Sequence, residues 1–198
     1  MPSKLELRKC FLQKRADLKQ NFKLDASKKI SEKLIDFFSD ESNPKVIACY
    51  ISDNDEVCIN KFIIWALNNG ITIVLPRYNP KSKVASYEFV EVTNLDEDLK
   101  SGKYGILEPK ESCRKFPTKE LFSIYWLVPG VAFDNECARL GRGKGIYDQV
   151  LDFYGGMSIG VFYECQKTEC IPMDKHDKFL DFIVTEEGMY KKLKEMEC

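Results

Sequence analysis

The sequence carries one histidine in 198 residues, no Cys-x-x-Cys pair, and no apolar run near the ~18 residues that a membrane-spanning helix requires. Each shortage removes a class of protein. The lone His176 and eight scattered cysteines cannot assemble the usual zinc ligand sets, and the cysteines read as reduced thiols, several of them in the core. Charge of either sign is not in surplus: 30 Lys and Arg face 31 Asp and Glu, with no unopposed basic run, which excludes nucleic acid as the main partner. The opening stretch, MPSKLELRKCFLQKR, is too charged for the apolar centre of a signal peptide, so a cytoplasmic protein without membrane contact is expected. Internal repeats, heptads and low-complexity segments are also lacking. What is present, at 44% hydrophobic content, suffices to bury the core of a single domain spanning 1–198.

The hydrophobic pattern alternates between helical and extended periods. Residues 3–20 set Leu5, Leu7, Phe11, Leu12 and Leu18 among charges at helical spacing, with Lys4 and Arg8 one turn apart on one face. A second helix is predicted from an N-cap at Asp25 through Ile30, Leu34, Phe37 and Phe38 to a turn at 40–44. Short apolar runs at 45–51 and 71–75, the latter stopped by Pro76, flank a helix at 59–67. Residues 84–92 read as a further strand. A loop-rich excursion at 93–120 follows, with Gly102, Gly105, Pro109 and Pro117, and then strands at 125–128, 157–163 and 179–184. Strands alternating with helices at this spacing predict parallel βαβ units. The expected fold is therefore an α/β single domain with an open, mainly parallel sheet and helices on both faces, Rossmann-like and three-layered, onto which the N-terminal helices (3–41) pack. Ligands of such sheets bind beyond the carboxyl ends of the strands, so loops near 50–56, 76–77, 129–145 and 163–177 should converge on one cleft.

One of those loops is chemically distinctive. Residues 139–148 read RLGRGKGIYD, with Arg139, Arg142 and Lys144 interleaved with Gly141, Gly143 and Gly145 and closed by Asp148. Glycines let the backbone approach a ligand closely and turn its N–H groups into a concave nest for phosphate oxygens, while the basic side chains supply countercharge. Ile146, Tyr147, Val150, Leu151 and Tyr154 then recur at helical spacing, so a helix N-terminus should face the same anion. A P-loop needs Ser or Thr directly after its Gly-Lys, where Gly145 stands, and a dinucleotide fingerprint needs a third glycine where Ile146 stands. This is another kind of phosphate loop.

Pro129-Gly130, Phe133-Asp134 and the run at 139–148 together resemble the signature of the 5-formyltetrahydrofolate cyclo-ligase family, also called 5,10-methenyltetrahydrofolate synthetases. The likeness continues in order along nearly the whole chain, through Lys4-x-x-x-Arg8, Tyr50 with Glu56-Val57, Leu75-Pro76-Arg77 and His176-Asp177. It implies an ATP- and Mg2+-dependent ligase that cyclises 5-formyltetrahydrofolate, polyglutamylated or not, to 5,10-methenyltetrahydrofolate. The formyl oxygen would be phosphorylated and the neighbouring folate nitrogen would close the ring, with release of ADP and phosphate by a monomer.

The resemblance also implies roles for residues whose types leave more than one reading. Lys4 to Arg8 (Lys4, Leu5, Glu6, Leu7, Arg8) would join Arg139, Leu140, Gly141, Arg142, Gly143, Lys144, Gly145, Ile146 and Tyr147 around ATP, although Lys4 and Arg8 alone suit an ordinary charged helix face. Arg142 through Ile146 would also border the folate, with Arg142 and Lys144 as the catalytic pair. Glu56 could accept hydrogen bonds from the pterin's amino-pyrimidine edge or merely begin the next helix. Asp148 and Asp177 would hold magnesium; otherwise they are a helix-dipole partner and a surface charge. Ile51, Phe133, Tyr147 and Tyr163 are either apolar ligand contacts or core. At 146 the family usually has a second tyrosine, and Ile146 removes that hydroxyl. Cys137 lacks any Cys–His arrangement and is left out of the chemistry. Two other readings stay open, a folate- or nucleotide-binding protein without turnover and a related ATP-dependent enzyme with another substrate.

Overall fold

The computed structural model describes residues 2–40, 44–102 and 107–192. Most of the turn expected at 40–44, and Gly105 of the excursion, lie outside the described residues. In chain order the elements are α1 (Lys4–Ala16), α2 (Gln20–Asp40), β1 (Val46–Ala48), α3 (Asn60–Asn68), β2 (Thr72–Tyr78), β3 (Tyr87–Val92), a single turn α4 (Leu95–Asp98), β4 (Leu99–Ser101) and β5 (Leu107–Pro109). They continue with β6 (Tyr125–Pro129), β7 (Ala132–Phe133), β8 (Arg139–Leu140), α5 (Ile146–Tyr154), β9 (Met157–Val161), β10 (Phe182–Val184) and β11 (Met189–Lys191).

Seven strands form one sheet in the order β11-β10-β9-β6-β1-β2-β3. The five central strands are parallel and the two edges, β11 and β3, run antiparallel to their neighbours. Alternate side chains of each strand leave on opposite faces. Ile47, Ile73, Leu75 and Leu127 meet Ile30, Leu34 and Phe38 of α2 and Phe62 of α3 on one face. Ala48, Val74, Trp126 and Val128 meet Val150 and Tyr154 of α5 on the other. The expected three layers are present. The chain runs outward from β1 to β2 and β3, then crosses back to β6 on the other side of β1. The reversal makes a switch point between β1 and β6, where two connections part and leave a crevice at the carboxyl edge.

Helix α1 lies in neither layer. Ser3 caps it, accepting from the Glu6 N–H at 3.3 Å while the Glu6 carboxylate takes the Ser3 N–H at 2.7 Å. Leu7 and Phe11 pack with Ala132 and Leu140 of the β7–β8 hairpin and with Ile171, which stands the helix over the crevice.

Several sequence expectations need correction. The helix predicted over 3–20 ends at Ala16, and the next begins at Gln20 instead of being capped by Asp25, which sits inside α2 paired with Lys29 at 2.9 Å. The early start is held from outside the helix, by Lys23 on Asp55 at 2.6 Å and by Ser27 accepting the Cys58 N–H at 3.0 Å. Pro76 does not stop β2, because the register with β1 ends at Val74 and no ladder donor is needed beyond it. The strand predicted from 84 begins at Tyr87, since Ala85 and Ser86 turn with positive φ of 51° and 60°. The excursion at 93–120 is loop-rich as expected and carries short elements. It holds α4 and the β4–β5 hairpin.

Candidate active site

A cleft of about 1320 Å³ opens at the switch point, larger than the roughly 300–1,000 Å³ of a site for one small ligand. Tyr50 to Glu56 after β1, Pro76-Arg77 in β2, Pro129 to Asp148 after β6, and Asp174 with Asp177 before β10 all contribute, as the loop convergence predicted. The β4–β5 hairpin adds a further wall through Lys100, Leu107 and Pro109.

The chain after β6 is held before it reaches the basic loop. The buried Gln166 amide donates to the Gly130 and Val131 carbonyls at 2.9 Å. The Asp134 carboxylate takes three backbone N–H groups, from Glu136, Ala138 and Ile171, at 2.9–3.0 Å, and so ties the β7–β8 hairpin. Phe133 and Tyr163 are fully buried and do not line the cleft, so of the four apolar candidates only Ile51 and Tyr147 face it. Cys137 is buried too, its thiol pushed up to about 11 by burial and by Asp134, which disfavours the thiolate a nucleophile needs.

Within the loop, Gly143 and Gly145 have φ of +94° and +62°, which a side chain rarely adopts. Gly145 is the N-cap of α5 and supplies no side chain, so the first N–H groups of that helix remain available to a ligand. Arg139 is buried under the loop, 5% exposed, with Nη2 3.1 Å from Asp148 Oδ1 and Nη1 3.4 Å from the Pro129 carbonyl. Its Nε has no partner among the described residues. Arg142, half-exposed, reaches across to Asp53 and, at 3.1 Å, to Glu56. Lys144 has no ion-pair partner among the described residues.

From the other side, α1 brings Lys4 and Arg8 to the cleft. Arg8 Nε donates to the Gly141 carbonyl at 2.9 Å, and Lys4 bridges Asp174, at 2.6 Å, and Asp177. Leu5 is exposed, Glu6 is used in the cap and Leu7 is in the packing beneath, so none of these three lines the cleft.

The carboxylates fall into two groups. Asp148 and Asp177 stand with Arg139 and Lys4, and Asp148 also accepts the Lys178 N–H at 3.3 Å. Burial works against charge on Asp177, but the Asp174 N–H and the Lys4 ammonium outweigh it and hold the carboxyl below its ordinary value. Asp53 and Glu56 stand together beneath Arg142. Burial also opposes charge on Asp53, yet Arg142 keeps it low, whereas burial and then Asp53 push Glu56 up. Glu56 is further fixed by its own backbone, whose carbonyl accepts from the Tyr163 hydroxyl at 3.2 Å. Asp53 and Arg15, which lies behind this pair, were missed by sequence reasoning. The acidic turn 53–56 was the available signal for the first, and a basic residue on the apolar stripe Leu7, Phe11, Arg15 for the second.

Fold and cleft together define an α/β protein with a glycine-rich basic loop at its switch point and a half-buried carboxylate, Glu56, in the same cleft. The particular family follows from comparison. The chain belongs to the 5-formyltetrahydrofolate cyclo-ligase family, whose sequence signature matches residues 1–186. A probable 5-formyltetrahydrofolate cyclo-ligase of Schizosaccharomyces pombe is 31% identical over 144 residues, 65% of this chain and 68% of that one. The 5-formyltetrahydrofolate cyclo-ligase of Mycoplasma pneumoniae is 31% identical over 185 residues, 91% and 97%. The solved 5,10-methenyltetrahydrofolate synthetase of Aquifex aeolicus superposes with a TM-score of 0.80 at 30% identity, over 98% of this chain and 95% of that one. The chain is accordingly an enzyme of the ligase class.

Proposed function

We propose that this chain, working as one monomeric cytoplasmic domain, converts 5-formyltetrahydrofolate, with one or several glutamates, to 5,10-methenyltetrahydrofolate with consumption of ATP. The observation that carries the reading is a single cleft at the switch point that joins the glycine-rich basic loop to the half-buried Glu56. ATP lies with its phosphates between the 139–147 loop, the N-terminus of α5, and Lys4 and Arg8 of α1. The pterin lies against Ile51, with its donor-rich edge on the Glu56 carboxylate.

A formyl oxygen on an amide-like nitrogen is a poor leaving group. Attack of that oxygen on the γ-phosphorus breaks the bond to ADP and makes an iminium phosphate. The neighbouring folate nitrogen then attacks the formyl carbon. The C–N bond forms, that nitrogen gives up its proton, and the C–O bond breaks with inorganic phosphate leaving. The protein's contribution is placement and charge neutralisation, as in other phosphoryl transfers. Arg142 and Lys144 meet the charge that develops on the transferring group, and Arg139 anchors the loop from beneath. No protein nucleophile takes part.

The residues present suit magnesium. Asp148 and Asp177 offer two hard oxygen donors in the same cleft, the number this ion usually takes from protein when phosphates and water complete its shell. Both carboxylates stand paired with cationic side chains, and Lys4, the more exposed of these, would have to give way to the ion. When bound, the ion would neutralise phosphate charge.

The test is the long-wavelength absorbance of the methenyl product in a mixture of protein, 5-formyltetrahydrofolate, ATP and Mg2+. ATP-dependent product supports the reading. Folate binding without product would identify a silent binder.

Acid should weaken the folate half first. Because the Glu56 carboxyl is raised above 4.5, it takes up its proton at a higher pH than an ordinary glutamate and loses its acceptor character there. The KM for folate is expected to rise on acidification while pH is still above 4.5, and to do so less in Glu56→Gln. The stability effect has the opposite sign. A raised folded-state pKa contributes stability that is full below the unfolded value and is lost as pH rises through the folded one. Acid that costs folate affinity therefore does not unfold the protein through this residue. A KM profile identical in the wild type and Glu56→Gln would remove Glu56 from the folate site.

A further inference from the structure

Arg15 continues the inward stripe of α1 after Leu7 and Phe11. It is 2% exposed and does not line the cleft. Its Nη1 donates to the Gly130 carbonyl at 3.2 Å, and its Nε has no hydrogen-bond partner among the described residues. Its charge is met from a distance, by Glu56 Oε1 at 3.9 Å and Asp53 Oδ1 at 3.8 Å. A buried guanidinium so loosely bonded is costly.

The same two carboxylates are held at close range by Arg142. On the reading above, Arg142 serves the nucleotide phosphates during turnover and cannot remain on them. Two neighbouring, partly buried carboxylates deprived of their cation would repel, and one would take up a proton. Arg15 cannot follow Arg142, because it is packed beneath α1 and bonded to Gly130.

We infer that Arg15 is a positioning residue for the folate half of the site: it stays behind Asp53 and Glu56 when Arg142 turns to the phosphates, and so keeps Glu56 charged and aimed at the pterin. The inference rests on the reading of Glu56 as the folate acceptor. It also gives α1 a double task, with Lys4 and Arg8 at the nucleotide and Arg15 beneath the folate.

The experiment is a double-mutant cycle on Arg15→Gln and Glu56→Gln, read as separate KM values for folate and ATP together with kcat. Arg15→Gln is expected to raise folate KM about 10-fold, with ATP KM changed less than about twofold, and to add less than about twofold in the Glu56→Gln background. Arg15→Lys restores most of the loss, and Arg15→Met, which removes the charge but keeps the bulk, carries the same cycle where Arg15→Gln does not fold. Equal rises in both KM values, or an Arg15 effect that persists undiminished beside Glu56→Gln, would reduce Arg15 to packing of α1 and overturn the inference alone. An unchanged folate KM in Glu56→Gln by itself overturns the underlying reading of Glu56 and the inference with it.

Discussion

Arg142→Ala is expected to lower kcat/KM for ATP-dependent cyclisation about 10³-fold, roughly 4 kcal/mol of transition-state stabilisation. Arg142 stands on a loop whose neighbours on either side are glycines, and its partners, Asp53 and Glu56, belong to the adjacent connection after β1. It is thus placed between the two halves of the cleft, with a fork of donors able to meet a phosphoryl group in transfer. Lysine keeps the charge and loses the fork, so Arg142→Lys should recover only part of the rate. The side chain is half-exposed, but its loss leaves Asp53 and Glu56 to the more distant Arg15, so the melting temperature should fall modestly, by less than the loss of a fully buried ion-pair partner would cause. Steady-state kinetics with a thermal melt check both statements. A kcat/KM within tenfold of wild type in Arg142→Ala would take this residue out of the phosphoryl-transfer step.

Asp148→Ala should damage both the fold and the chemistry. Its carboxylate is the anionic partner of Arg139, whose side chain is 3% exposed. Stranding a buried charge costs about 3–5 kcal/mol, which for a chain of this size lowers the melting temperature by roughly 6–20 °C. The proposed magnesium role is separated from that loss by Asp148→Asn, which keeps an oxygen for Arg139 and the Lys178 N–H but removes the negative charge. Titration of activity with Mg2+ should then show a midpoint at least ~10-fold higher than in the wild type. An unshifted magnesium curve in the asparagine variant would leave Asp148 as the partner of Arg139 alone.

Much of the site was legible because its chemistry is contiguous. The loop at 139–145 stands out through the spacing of its glycines and basic residues, no distant partner is needed to see it, and it lines the cleft. Tyr50, Glu56 and Arg77 could be placed near it because each follows or ends an apolar run, and the carboxyl ends of parallel strands share one edge. Phe133 and Tyr163 went the other way. An aromatic beside a loop looks the same in sequence whether its ring turns to the ligand or to the core, and both turned to the core.

The fold shows the same division. Apolar periodicity sufficed for the helices and the central strands, since a half-buried element must repeat with its own geometry. It misplaced the start of α2 because Lys23 and Ser27 are held by Asp55 and Cys58, contacts that exist only after β1 has been laid down. It ended β2 too early because the tolerance for Pro76 depends on β1 being shorter than its neighbour. The edge strand β11 went unseen, being three residues of mixed polarity that extend only because β10 offers a free edge.

By itself, then, the amino-acid order determined the α/β class, the glycine-rich basic loop and the family, all carried by local spacing and by residues adjacent in the chain. Tertiary structure alone decided which charges share a field. Arg15, Asp53, Glu56 and Arg142 come from α1, the β1 connection and the β6 connection, and meet only because the strand order reverses between β1 and β6. Coulomb interactions depend on distance and burial, and neither is fixed by separation along the chain.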